Sequence, residues 1–247
     1  MPEARDIRDY YDAVATDYDV KHGVSLAGQA YNFATYYVPF LDAAVPRQGR
    51  ILEIGCGTGV YTEWLSRRGL DVVAMDLSPP MIDEARRRCA EARYLDGDCE
   101  DPGPVLAAAG VGGEFDAIVG VNTFSYYPDK AKALANYHRL LAPGGRLVVV
   151  DMNGLSPYYA LMAMTGFNEL GEWMAPLKES NPPALTRLLG DAGFRVETMI
   201  RFAFIPNGLG AVAVSLLKPF DGLLRRLPGT GGLAMRIAYV GVREGPS

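Results

Sequence analysis

Glu53-Ile54-Gly55-Cys56-Gly57-Thr58-Gly59 joins a short apolar run, Arg50–Ile54, to a stripe of Val60, Tyr61, Trp64 and Leu65 at helical spacing. A strand therefore turns into a helix through three glycines. Glycines at such a turn let the backbone approach a ligand, and the helix N-terminus offers it free N–H groups. Asp76 closes the next apolar run, Leu70–Met75. A carboxylate at that strand end is placed to accept hydrogen bonds from both ribose hydroxyls of an adenosine-containing cofactor. A dinucleotide fingerprint spaces its glycines Gly-x-Gly-x-x-Gly, whereas here the third comes one residue early and Val60 stands where the last should be. Glu53 adds a carboxylate beside the loop, which opposes a pyrophosphate and suits a sulfonium or ammonium group.

Strand and helix periods continue to alternate outward from this loop. Ser78 caps a helix with Pro79, Asp83 and Glu84 in its first turns and Arg86, Arg87 and Arg88 at its end, matching the helix dipole at both ends. A weaker strand follows near Ala92–Leu95, then a strand at Phe115–Val121. Asp129–Leu141 reads as a helix stopped by Pro143-Gly144-Gly145, and Arg146–Asp151 as the fifth strand. Near-continuously apolar strands between helices indicate a parallel sheet covered on both faces. In the last third, the helix Asn181–Ala192 precedes the strands Phe194–Phe204 and Leu233–Val242, which suit an antiparallel pair. The fold class is α/β: a Rossmann-like, mostly parallel sheet with an antiparallel strand near one edge and a helical cap. Residues 1–45, 152–180 and 206–232 lie outside the alternation and are expected to roof the site at the carboxyl ends of the strands.

Composition bounds the alternatives. The 247 residues are 49% hydrophobic and 21% charged, which suits one domain with one core. With 24 Lys and Arg against 29 Asp and Glu, the net charge of −5 argues against a nucleic-acid partner. Cys56, Cys89 and Cys99 lack a Cys-x-x-Cys spacing, so neither a disulfide framework nor a zinc site is indicated, and a reducing cytoplasm is the expected compartment. The first twelve residues lack the apolar run of a signal peptide, and no segment reaches the ~20 apolar residues of a spanning helix. Only two histidines occur, far apart, and no metal is implied.

With these motifs in place, the sequence resembles the class I S-adenosylmethionine-dependent methyltransferases, within them the small-molecule group related to ubiquinone and menaquinone methyltransferases. The resemblance runs through Tyr11-Asp12 to Tyr18-Asp19, Ile51–Gly59, Met75-Asp76-Leu77-Ser78 to Met81, Gly97-Asp98, Phe115–Asp129 and Pro143–Val150. It implies seven strands, six parallel and one antiparallel next to an edge, with S-adenosylmethionine as cofactor. It further implies that Glu53, Gly55 and Gly57 surround the methionine moiety and that Asp76 holds the ribose. Leu77 and Met81 would pack on the adenine, Asp98 would bond its amino group, and Cys99 would donate from its backbone. Tyr18 would contact the cofactor, and Asn122 would face both it and the methyl acceptor. Tyr126-Tyr127 stand where relatives often carry His-His, so an acid–base role at that place is in doubt.

Methyl transfer is an in-line displacement at an activated carbon, for which proximity, alignment and exclusion of water suffice. Were a base used, His22 in the cap is the candidate; His138 falls on the apolar face of its helix and reads as structural. Tyr10, Tyr11, Tyr18, Tyr31, Tyr36 and Tyr37 crowd the N-terminal segment, where aromatic faces either wall a sulfonium and a flat acceptor or simply pack on the sheet. Leu209, Val212, Leu216, Phe220, Leu223, Leu224 and Leu227 recur at helical spacing, with Lys218, Asp221, Arg225 and Arg226 between them. This stripe reads as a core-packing lid or dimer face, with peripheral membrane contact as the alternative. The expected reaction is methyl transfer from S-adenosylmethionine to a small, largely apolar acceptor, at oxygen ahead of nitrogen or carbon. A lipid or quinone acceptor at a membrane surface is one version of it. The competing readings are a nicotinamide-dependent oxidoreductase on a Rossmann sheet and a non-catalytic cofactor-binding module.

Overall fold

Arg50–Ile54 is apolar on both faces because it lies in the middle of a covered sheet. In the structure, a computed structural model that describes residues 4–21, 26–164 and 180–245, this run is β1. The remaining strands are β2 (Asp71–Asp76), β3 (Arg93–Asp96), β4 (Phe115–Val121), β5 (Leu141–Met152), β6 (Phe194–Phe202) and β7 (Arg236–Arg243). They form one sheet in the order β3-β2-β1-β4-β5-β7-β6. β7 runs antiparallel to both β5 and β6, and the other neighbouring pairs are parallel. The expected mostly parallel sheet, with an antiparallel strand next to one edge, is therefore present.

The helices are α1 (Ala4–Val14), α2 (Tyr18–Lys21), α3 (Ala27–Asn32), α4 (Val38–Ala44), α5 (Val60–Ser66) and α6 (Pro79–Arg88). After these come α7 (Pro102–Ala108), α8 (Lys130–Leu140), α9 (Pro157–Met164), α10 (Pro182–Asp191) and α11 (Ala211–Leu224). Period-2 alternation in the strands sends side chains to two cores. One joins Ile51, Ala74, Val119 and Val148 to α4, α5 and α6; the other joins Leu52, Met75, Ile118 and Val149 to α7, α8 and α10. The caps are those the residue types favour. Ser78 Oγ accepts from Met81 N, Asp129 Oδ1 from Lys132 N and Asn181 Oδ1 from Ala184 N. α7 has no counterpart in the sequence reading, because Pro102-Gly103-Pro104 resembles a break, although proline fits a first helical turn. Between α3 and α4 the chain forms one π-helical stretch, Phe33–Tyr37, just before Pro39, whose ring removes an N–H from the helical ladder.

The apolar stripe of α11 is not packed into the core, contrary to the lid expectation. Val212 is 77% exposed, Leu216 69% and Phe220 63%. The helix docks by its other face, through buried Val214 and Asp221. The Asp221 carboxylate accepts from the hydroxyls of Tyr31 and Tyr36 and from Phe204 N, fixing α11 to α3 and the π-helical stretch. A buried carboxylate with these donors sets which side faces inward, and the stripe is left outside. No described helix is long and apolar enough to cross a membrane. Asp221→Ala strands two tyrosine hydroxyls, and the expected loss is about 2 kcal/mol of stability. Urea unfolding checks this; an unchanged midpoint would assign the docking of α11 to other contacts.

Candidate active site

The glycine loop follows β1 into α5, and each glycine has a distinct steric reason. Gly55 adopts φ +67°, and a Cβ there would lie 2.2 Å from Thr123 Oγ1 beyond β4. Gly57 adopts φ +52° and donates its N–H to Asp76 Oδ2 at 2.8 Å. Gly59 caps α5 at φ +81°, where a Cβ would meet Ala85 of α6 at 2.9 Å. Gly55 and Gly59 are thus pressed against the end of β4 and against α6, where a side chain would collide, whereas at Gly57 a Cβ would meet nothing and the left-handed backbone alone favours glycine. Asp76 Oδ1 also accepts from Ser78 N at 3.0 Å. Burial pushes its carboxyl above the usual value, while donors at Ser78, Gly57 and Leu77 pull the other way.

The N-terminal helices are strapped over this loop by carboxylates. Ser78 Oγ donates to Asp12 Oδ1 of α1 at 2.5 Å. Thr58 Oγ1 donates to Asp19 Oδ1 at 2.7 Å, and Arg88 donates to both Asp19 and Thr58 O. The result is a cavity of about 640 Å³ between cap and sheet. Tyr18, Gly55, Gly57, Asp76, Leu77, Met81, Asp98, Cys99 and Asn122 all line it. The segments outside the alternation contribute as well, through Tyr11, Tyr158 and Asn207 among others.

Two of the sequence candidates are not in this wall. His22 lies outside the described residues. Glu53 shares a face of β1 with Ile51, so its side chain enters the layer under α5, where it is 3% exposed and accepts from Thr62 Oγ1 at 2.6 Å. Burial pushes its carboxyl up to about 8, with Thr62 opposing and Asp76 adding to the rise. Near neutral pH the group is mostly protonated. The argument that Glu53 turns a negative charge toward the ligand is therefore corrected: the central strand buries it.

Asn122 follows β4 in the left-handed region, at φ +56°, and donates its N–H to Val150 O at 2.7 Å. Its Oδ1 is enclosed without a hydrogen-bond partner. Such an orphaned acceptor in a cavity wall fits a ligand that brings an N–H or O–H donor. Asp98 lines the cavity while its Oδ1 accepts from Glu100 N at 2.8 Å, so it also holds its own turn. Burial pushes the Cys56 and Cys99 thiols up, which removes thiolate chemistry. Burial likewise keeps Tyr11, Tyr18 and Tyr126 as neutral phenols. His138 packs edge-on against Phe194 at 5.3 Å, away from the cavity, and its pKa is lowered by burial and then by Arg243. Among the described residues no imidazole lines the cavity and no cluster of metal-ligating groups occurs.

Tyr126, Tyr158, Tyr159, Met235 and Arg236 line the same cavity. Sequence reasoning singled out Tyr126 only as a departure from a family pattern, and missed the other four. A signal for Arg236 existed: it is the lone charge within the apolar strand run from Leu233 to Val242.

A doubly wound sheet with a glycine loop at β1 and a carboxylate ending β2 is the frame of a nucleoside-cofactor enzyme. Comparison with known proteins specifies it. A family described as "Methyltransferase domain" matches residues 52–147. The chain is 31% identical to the demethylmenaquinone methyltransferase of Thermus thermophilus, over 67% of this chain and 81% of the relative. It is 29% identical to a ubiquinone biosynthesis O-methyltransferase of Xanthomonas axonopodis pv. citri, over 65% of this chain and 69% of the relative. In fold it is similar to magnesium protoporphyrin IX methyltransferase from Synechocystis, solved with bound SAH. The TM-score is 0.64 at 14% identity, covering 98% of this chain and 100% of that one. The chain belongs to the S-adenosylmethionine-dependent methyltransferases and is an enzyme of that class. The nicotinamide and non-catalytic readings fall away.

Glu53 also leaves a trace in stability. The folded protein keeps a proton there up to about pH 8, whereas an unfolded glutamate releases it near ~4.3. The stabilising contribution is complete below the unfolded value and declines as pH rises toward 8. Glu53→Gln removes that slope. Thermal melts across this range check it, and equal slopes in both proteins would place the carboxyl charge elsewhere.

Proposed function

We propose that the enzyme methylates an oxygen of a small, largely apolar acceptor held in the tyrosine-lined end of its cavity. The observation carrying this reading is that one continuous cavity joins the glycine loop and Asp76 to Tyr11, Tyr126, Tyr158 and Tyr159. When bound, S-adenosylmethionine supplies a methyl carbon activated by a sulfonium. Asp76 retains acceptor capacity for ribose hydroxyls beyond its backbone donors. Leu77 and Met81 offer an apolar surface for adenine, with Asp98 and the Cys99 backbone at its polar edge. Gly55 and Gly57 leave room for the methionine moiety, and the orphaned Asn122 Oδ1 suits its ammonium group. Glu53 acts from beneath, by holding α5 through Thr62.

On the acceptor side the protein orients and excludes water. The T-shaped pair of Tyr11 and Tyr126, with ring centroids 6.3 Å apart, and Tyr18, 6.1 Å from Tyr11, form an aromatic corner. Such faces attract a sulfonium and stack on a flat acceptor. Since no described imidazole lines the cavity and burial keeps the Cys56 and Cys99 thiols protonated, alignment carries the step. The names of the quinone-type relatives support a small-molecule acceptor.

Calorimetric titration tests the cofactor roles. Micromolar binding of S-adenosylhomocysteine and none of NADH is expected, with Asp76→Ala weakening the former about tenfold or more. Undiminished affinity in the variant would sink the assignment of Asp76.

The outward stripe of α11 favours an acceptor met at an anionic lipid surface. Val212, Leu216, Phe220 and Leu223 are exposed, Arg226 follows them just past the end of the helix, and Lys218 and Arg225 project from its docking side. Lys218 and Arg225 pack over the rings of Tyr31 and Tyr36 at 5.2 and 5.3 Å, which holds these cations along the helix. Co-sedimentation with phosphatidylglycerol-containing vesicles at low salt is expected, and loss of it on Arg225→Glu/Arg226→Glu. Absence of sedimentation overturns this reading, and a concentration-dependent dimer in its place assigns the stripe to a second copy.

A further inference from the structure

Arg236 is the sole Lys or Arg among the described residues lining the cavity. It opens β7 in register with Met152 of β5 and Phe202 of β6, at the tyrosine-lined end. Its Nε donates to Tyr37 Oη at 2.9 Å and its Nη1 to Tyr159 Oη. These partners are phenols, and burial holds Tyr159 neutral. They orient the guanidinium without cancelling its charge. Nη2 donates to no described residue, and no described carboxylate lies within ion-pair distance.

The acidic residues in the cavity wall are engaged elsewhere. Asp19 pairs with Arg88, Asp76 holds Gly57 N and Ser78 N, and Asp98 accepts from Glu100 N. Glu100 in turn accepts from Asp129 N. Asp151 acts on Arg236 electrostatically, yet its oxygens are taken by Ser125 N, Ser125 Oγ and Met152 N. A half-buried guanidinium gains from a nearby anion, and its planar fork suits a carboxylate or other oxyanion. The tyrosines fix the fork, and among the described residues no carboxylate pairs with it directly.

We propose that Arg236 anchors the methyl acceptor, and that the acceptor is a flat, largely apolar molecule bearing an anionic oxygen group, a carboxylate or an ionised hydroxyl, seated against this guanidinium. The inference rests on the acceptor assignment above and narrows its substrate class. A guanidinium beside an acidic hydroxyl also favours its ionised form, which supplies a nucleophile without a cavity histidine.

The test titrates full-length protein saturated with S-adenosylhomocysteine against 2-naphthoate and its neutral counterpart 2-naphthalenemethanol. Wild type is expected to bind the carboxylate about tenfold or more tightly. Arg236→Met should bring the two within about twofold, and Arg236→Lys should keep part of the preference. Unchanged affinity for S-adenosylhomocysteine in both variants shows that the cofactor end is intact. Equal affinity for the two probes in wild type, no binding of the naphthoate, or a preference surviving in Arg236→Met each overturns the anchor while leaving the methyltransferase assignment standing. If Arg236→Met does not fold, the wild-type comparison and Arg236→Lys decide. Failure of S-adenosylhomocysteine itself to bind would remove the cofactor roles, and the anchor with them.

Discussion

The carboxylate of Asp76 accepts from Gly57 N on one side and Ser78 N on the other, tying the glycine loop to the start of α6 across the end of β2. Three elements that meet at the carboxyl edge of the sheet are thereby held at one place. Its burial would be costly without those donors. Ser78 passes the connection on, since its hydroxyl reaches Asp12 of α1. The glycine loop does the same through Thr58 and Asp19. The cap is therefore positioned by the same constellation that forms the floor of the cavity. Cofactor floor and acceptor roof are parts of one hydrogen-bonded unit.

Burial decides the charge pattern inside that unit. Glu53, Asp76 and the tyrosines are all shifted toward their neutral forms, with desolvation the largest cause. Asp76 is the exception in kind, because backbone donors oppose its shift, whereas Glu53 has one hydroxyl donor. The permanent cation at the tyrosine end is Arg236, held by phenols. A site of this kind works by placing groups and excluding water.

Local patterning was sufficient wherever a residue's role depends on its neighbours in the chain. The strand–glycine–helix turn, the caps at Ser78, Asp129 and Asn181, and the order of strands follow from short-range periods and backbone preferences. Of the nine candidate site residues that line the cavity, seven sit at or just past strand ends, which the alternation itself locates, while Tyr18 belongs to α2 and Met81 to α6. α7 was missed because prolines and glycine at its start look like a break.

Long-range partners decided the rest. Whether Glu53 faces the ligand or the helix layer is set by which face of β1 looks toward α5, and two residues of sequence separation from Gly55 carry no such information. The direction of the α11 stripe is chosen by Asp221 meeting Tyr31 and Tyr36 from 190 and 185 residues away. Arg236 belongs to the cavity only because β7 inserts antiparallel between β5 and β6. The sequence by itself determined the strand–helix alternation and the glycine loop, since these rest on periodicity and local backbone chemistry, while the cofactor class came from its resemblance to a known family. The tertiary structure alone decided which buried groups are charged and which faces remain open, because desolvation and side-chain pairing depend on what the folded chain brings together.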